Sequence, residues 1–210
     1  MSDGRAAILG RIREALRRDR AEGPRSSPER PEGYTRPGPI EDLLGRFVEK
    51  VEAASGTLVR VGALDEVPDA VGAYLAEKEL PTEVAAAPAL RHLPWPPGWT
   101  LRFGPAGGGD RVSVTPCFAA VAETGTLALL SGSDTPTTLN FLPDHHLVVV
   151  ETSQVVGHLE DVWDRLRRVP GGIPRTINLI TGPSRTADVE QTLQLGAHGP
   201  LCLHVILVGS

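Results

Sequence analysis

The sequence predicts an α/β fold: a three-layer α/β/α body on a mainly parallel sheet, preceded by an N-terminal helical arm. Three observations lead there. The first half alternates amphipathic helical stripes with short β-branched runs, the rhythm of parallel strands joined by right-handed crossovers. The runs Ile177–Ile180 and Leu203–Val208 are almost unbroken in apolar character, as central strands covered on both faces must be. The chain has 210 residues, 40% hydrophobic but only 4% aromatic, so one sizeable core of Ala, Val, Leu and Ile fits it.

Taken in order, Ile8, Leu9, Ile12 and Leu16 recur at helical spacing within an arginine-rich segment. From Asp3 to Arg20 there are six arginines against Asp3, Glu14 and Asp19, a local net charge of +3. Residues 1–22 are therefore read as a helical arm: solvated, docked on an acidic partner, or packing one face on its own domain. Residues 23–39 hold Pro24, Pro28, Pro31, Pro37 and Pro39 with interspersed glycines. Proline lacks the donor that helix and sheet ladders need, so this stretch is a linker. The folded body is expected over residues 40–210. It opens with a helix carrying Ile40, Leu43, Leu44, Phe47, Val48 and Val51. A strand follows at Thr57–Val61, then a helix marked by Val67, Val71, Tyr74 and Leu75, and a strand near Val84. Pro94, Trp95, Pro96 and Pro97 enforce irregular chain before a strand at Trp99–Phe103. Val112–Val114, Leu127–Leu130 and Leu147–Val150 are further strands. Leu159, Val162, Trp163 and Leu166 mark a helix before the last two runs, both expected at the centre of the sheet.

Composition removes several functional classes. A net charge of −5 argues against general nucleic-acid binding, which needs clustered excess Lys and Arg. No run approaches the roughly 20 apolar residues of a membrane span, and the N-terminus has no apolar signal core. A cytoplasmic location is expected. Cys117 and Cys202 form no C-x-x-C pattern and cannot alone hold an iron–sulfur cluster; both are expected as buried free thiols. The histidines show no zinc-like spacing, and the adjacent His145 and His146 point to opposite faces of a strand, so no metal site is expected.

Two segments concentrate chemistry. Thr181-Gly182-Pro183-Ser184-Arg185-Thr186-Ala187-Asp188 follows an apolar run with hydroxyls, a guanidinium and a carboxylate. Unpaired N–H groups at such a turn suit a small anion; the plainer alternative is an elaborate helix cap. Ala122-Glu123-Thr124-Gly125-Thr126 sets a carboxylate and hydroxyls beside a glycine that permits close ligand approach. Glu123 is a candidate base, nucleophile or acceptor, against the alternative of an exposed turn residue. His198, between Gly196 and Gly199-Pro200, could meet these loops. Ligands of open α/β sheets gather beyond the carboxyl ends of strands, so both loops are expected there. The set suits a hydroxy acid, a phosphate ester or an acyl thioester.

These segments, with Phe141-Leu142-Pro143-Asp144-His145-His146 and the closing Thr-Gly-Pro-Ser-x-x-Ala-Asp-x-Glu and Gly-x-His-Gly-Pro patterns, resemble the lactate-utilisation protein C family of LUD-domain proteins. The likeness covers about Ile40 to Ser210 in layout and is specific from Val112 onward. Two departures stand out: Ser131–Asn140 lacks the arginine that many relatives carry there, and Thr124 stands where they often have serine. The resemblance implies a fold related to the sugar-phosphate isomerase and CoA-transferase group. It also implies a place in L-lactate oxidation to pyruvate beside iron–sulfur partner subunits, which would carry the clusters, with no cofactor on this chain.

On that reading Arg185 holds the carboxylate of lactate or pyruvate, because its planar fork can pair both oxygens. Thr124, Gly125, Gly182, Ser184 and Thr186 complete the substrate site. Glu123, Asp188 and His198 orient the ligand or move protons as catalytic candidates. Whether this subunit is itself an enzyme stays open. The rivals are a stand-alone transferase or isomerase using Glu123 on a phosphate- or thioester-bearing substrate, which rests on fold analogy, and a non-catalytic scaffold recruiting partners through the arm.

Overall fold

Six parallel strands form the main sheet, in the order Thr57–Val61, Cys202–Val208, His145–Glu151, Val112–Pro116, Glu83–Ala86 and Thr100–Phe103. The structure is a computed structural model that describes residues 4, 7–12, 14, 36–170, 172–186, 194–195 and 198–209. It divides into two compact units, Met1–Arg36 and Pro37–Ser210. In the first, the described residues up to Glu14 are helical, and Ile8, Leu9 and Ile12 are exposed. Most of the linker, residues 23–35, lies outside the described residues.

The second unit opens with α1 (Leu43–Ala53), whose N-cap Asp42 accepts the Gly45 N–H at 2.8 Å. Ser55, with φ at +65°, turns the chain out of the helix. The strands of the main sheet are β1 (Thr57–Val61), β2 (Glu83–Ala86), β3 (Thr100–Phe103), β4 (Val112–Pro116), β7 (His145–Glu151) and β12 (Cys202–Val208). Between β1 and β2 lies α2 (Val67–Glu77), with Pro68 in its first turn, where a missing N–H costs nothing.

Alternation along the strands sorts the core into two faces. On one, Val67, Val71 and Leu75 of α2 pack with Val112, Val114, Leu147, Val149, Ile206 and Val208. On the other, Val148, Val150, Val205 and Leu207 meet Phe47 and Val51 of α1. A second, four-stranded sheet shares that face, in the order Val155–Val156, Ala119–Val121, Thr126–Leu130 and Ile177–Ile180. It comprises β5 (Ala119–Val121), β6 (Thr126–Leu130), β8 (Val155–Val156) and β9 (Ile177–Ile180). Its inner positions, Ala120, Leu127 and Leu129, join the core. Its outer positions, Ala119, Val121 and Ala128, are small and lie under Val162 of α3 (Leu159–Leu166). The body is thus the expected parallel sheet with helices on both faces, and one covering layer is itself partly a sheet.

Two expectations are corrected here. Leu203–Val208 is central, between β1 and β7. Ile177–Ile180 is not: β9 is the edge of the second sheet, and Leu179 is 43% exposed. A four-residue apolar run cannot report whether both of its faces are covered, and here only Asn178 and Ile180 pair into positions facing the core. Likewise Leu127–Leu130 lies in the second sheet rather than the main one. Beyond β9 the chain forms the hairpin β10 (Arg185–Thr186) with β11 (Gln194–Leu195).

Candidate functional site

The turn after β9 is pressed against the end of α1. Gly182 has φ at +72°, and a Cβ added there would lie 2.3 Å from the Ala54 carbonyl oxygen. Only glycine meets both conditions at once. Three residues later the Arg185 guanidinium donates from Nη2 to that same Ala54 oxygen at 3.0 Å. The Ser184 N–H donates to the Pro200 carbonyl at 2.8 Å, tying the turn to the segment entering β12.

These ties border a half-open cavity of about 270 Å³, just under the usual size of small-molecule sites. Thr181, Ser184, Arg185 and His198 bring polar groups to it, and Phe141, Ile180 and Leu203 bring apolar surface. Asn140 and His146, both buried, complete its floor. His146 and Leu203 are the second residues of β7 and β12, so the cavity sits at the amino edge of the six-stranded sheet. The expected carboxyl-edge location is therefore corrected. The turn does follow the carboxyl end of β9, but β9 belongs to the other sheet, so the strand-end rule does not carry over to the main one.

His146 was legible in the sequence only as part of a histidine pair. It is completely buried, and its Nε2 lies 2.7 Å from Thr115 Oγ1 of β4. Its Nδ1 has no hydrogen-bond partner among the described residues. Burial pushes the ring down to about 3, so it is neutral near pH 7. Its neighbour His145 faces the opposite side, as strand alternation requires, with Nδ1 2.9 Å from Tyr74 Oη. On that side His204 Nδ1 lies 2.7 Å from Thr57 Oγ1, and its ring is 4.5 Å from that of Tyr74. Burial pushes His204 down to about 4.

The Glu123 loop is the turn of the β5–β6 hairpin. Gly125, at φ +69°, lies so close to α1 that an added Cβ would be 2.7 Å from the Lys50 carbonyl carbon. Thr124 Oγ1 lies 2.7 Å from Thr126 Oγ1, which is 2.7 Å from Thr181 Oγ1. A chain of hydroxyls thus joins this loop to the cavity turn. The Glu123 carboxylate takes another direction and lies 3.0 Å from His158 Nδ1, outside the cavity lining. His158 Nε2 is 2.8 Å from the Gly38 carbonyl. Both ring nitrogens face acceptors, so the imidazolium bonds best, and Glu123 first and the Gly38 carbonyl second raise the His158 pKa.

Of the residues singled out by sequence, Gly182, Ser184, Arg185 and His198 line the cavity. Thr124 and Gly125 are not among its lining residues. For Thr186 only the backbone is described, and Asp188 lies outside the described residues. Cys117 is buried and pushed up to about 12 by that burial, whereas Cys202 is only partly buried.

Two packed β layers, an edge-strand turn and a polar cavity between them set the chain apart from a plain doubly wound domain. Residues 111–208 match the LUD domain family. Among proteins it resembles are lactate utilization protein C of Bacillus subtilis and that of Geobacillus thermodenitrificans. The first is 36% identical over 100 residues, covering 46% of this chain and 42% of that protein. The second is 32% identical over 133 residues, covering 57% and 55%. An uncharacterized protein of Neisseria meningitidis serogroup B is 38% identical over 88 residues, 42% of this chain and 38% of its own. The chain spans about two fifths of the length of the Neisseria and Bacillus relatives. The crystal structure of a DUF162 family protein from Deinococcus radiodurans shares the fold. Its TM-score is 0.59 at 24% identity, over 80% of this chain and 96% of that one.

Proposed function

We propose that this chain serves in lactate utilisation, as a subunit that binds a small 2-hydroxy or 2-oxo carboxylate while L-lactate is oxidised to pyruvate. The observation that carries the reading is the shared cavity. Arg185, Ser184, Thr181 and His198 line one small space with an apolar wall. Arg185 pairs the carboxylate, Ser184 and Thr181 offer neutral hydrogen bonds, and His198 is the cavity's solvent-side candidate for handling the hydroxyl proton. Oxidation of L-lactate to pyruvate releases two electrons and two protons, one proton from C2 and one from the hydroxyl. Iron–sulfur clusters on partner subunits would accept the electrons and solvent the protons, and this chain's part is to bind and orient. The names of the lactate utilization relatives support this context. A transferase or isomerase using Glu123 gains less support, because the Glu123 carboxylate is paired with His158 away from the cavity.

Calorimetric titration with L-lactate and pyruvate tests the reading. A charge-assisted hydrogen bond contributes roughly 1.5–3 kcal/mol, so Arg185→Ala weakens binding about tenfold to hundredfold. The fold survives, since the side chain is exposed and bonds only Ala54 among the described residues. Glu123→Gln binds like the parent. Parent-like affinity in Arg185→Ala overturns the assignment of the cavity, and a loss in Glu123→Gln as large as in Arg185→Ala returns Glu123 to the site.

A further inference from the structure

The cavity floor holds a feature that a general anion pocket does not need. His146 is fully buried, lines the cavity and has one ring nitrogen without a partner among the described residues. A buried polar group left unpaired carries a desolvation cost, and native folds seldom leave one so unless something else completes it. The other ring nitrogen is committed: Nε2 lies 2.7 Å from Thr115 Oγ1, and Thr115 is not among the cavity-lining residues. The hydroxyl therefore fixes the ring, and Nδ1 is the nitrogen left for a ligand. Arg185, which is exposed, lines the same cavity. The two groups differ in chemistry: an exposed guanidinium suited to charge, and a buried neutral imidazole nitrogen suited to a single uncharged oxygen.

We propose that His146 is a specificity-determining residue of the cavity: its Nδ1 pairs with the C2 oxygen of the bound carboxylate, so 2-hydroxy or 2-oxo acids are selected over unsubstituted carboxylates. The inference rests on the carboxylate reading above. Neutral imidazole suits this task because either tautomer serves. With Nε2–H donating to Thr115, Nδ1 accepts from a hydroxyl; with the Thr115 hydroxyl donating to Nε2, Nδ1–H donates to a keto oxygen. The Thr115 hydroxyl can take either part, so one site accommodates both the reduced and the oxidised acid. A ligand without that oxygen fills the space and leaves Nδ1 unpaired, which is how buried polar groups reject analogues that lack a partner.

The test compares L-lactate, pyruvate and propionate, titrated calorimetrically into the full chain and into three variants. The parent binds lactate and pyruvate at least tenfold more tightly than propionate. His146→Phe removes that preference and leaves propionate affinity within about twofold. Thr115→Val, which frees the ring with little change in shape, reduces the preference, and Thr115→Ser keeps it. The comparison on the parent alone needs no variant to fold. Equal binding of lactate and propionate by the parent overturns the specificity role while leaving the carboxylate reading intact. Absence of binding for all three acids overturns the carboxylate reading itself. Retained preference in a folded His146→Phe assigns the discrimination elsewhere and refutes the role of His146.

Discussion

Replacing Gly182 with alanine strains the link between the cavity turn and α1 at one identifiable point. A non-glycine residue at φ +72° costs roughly 1–2 kcal/mol. The added Cβ would lie 2.3 Å from the Ala54 carbonyl oxygen, a backbone atom with no rotamer to escape into. An ordinary carbon–oxygen approach is about 3.3 Å, so the turn must retreat by about 1 Å. Overpacking of that kind typically costs roughly 1–3 kcal/mol. The same retreat draws Arg185 Nη2 beyond hydrogen-bonding reach of Ala54, since that bond is already 3.0 Å long. Gly182→Ala is therefore expected to lose roughly 2–5 kcal/mol in urea unfolding and to weaken lactate binding through misplacement of Arg185. Two other glycines calibrate the result. At Gly199 an added Cβ meets the Ser184 side chain at 3.3 Å, so a smaller loss follows. At Gly98 it meets nothing within 4 Å, and alanine there leaves stability unchanged or slightly raised through the unfolded state. A Gly182→Ala protein within about 0.5 kcal/mol of the parent, or no more destabilised than Gly199→Ala, would falsify the claimed contact with α1.

Acid sensitivity follows from the buried imidazoles. His146 and His204 have pKa values pushed down to about 3 and about 4, against roughly 6.5 unfolded. The unfolded chain binds more protons, so stability is full above about pH 6.5 and is lost as pH falls toward those folded values. The slope is on the order of 1.4 kcal/mol per pH unit for each ring. Urea midpoints measured between pH 7 and 5 should fall accordingly, and His204→Gln should remove about half of the slope; an unchanged slope refutes the assignment. His158 has the opposite sign: its pairing with Glu123 is strongest below about pH 6.5 and is lost as pH rises through its raised value. Finally, deletion of Met1–Arg36 should leave a cooperative melt, because Pro37–Ser210 is compact by itself, and should weaken co-purification with partner subunits. Loss of folding contradicts the unit boundary, and undiminished association contradicts a docking role for the arm.

Local chemistry made much of the architecture readable from the chain. The stripes of Phe47 and Val51, and of Val67, Val71 and Leu75, announced α1 and α2 because helix periodicity is a property of neighbouring residues. The run Leu203–Val208 announced a central strand for the same reason. The turn holding Gly182, Ser184 and Arg185 was marked by residue type alone, since glycine, proline and serine carry their conformational demands with them. Sheet membership was different. Whether Ile177–Ile180 is central or at an edge depends on which strands flank it, and pairing with Leu127–Leu130 on one side only is a long-range outcome. The strands Ala119–Val121 and Val155–Val156 are too short to announce themselves. Only the packing of two sheets turned Glu123 toward His158, brought His198 beside Ser184 and Arg185, and buried His146 with one nitrogen unpaired. Periodicity and turn chemistry act over a few residues and are written in order along the chain; the direction of a side chain into a shared cavity is set by elements far apart in sequence, and it exists only once they have packed.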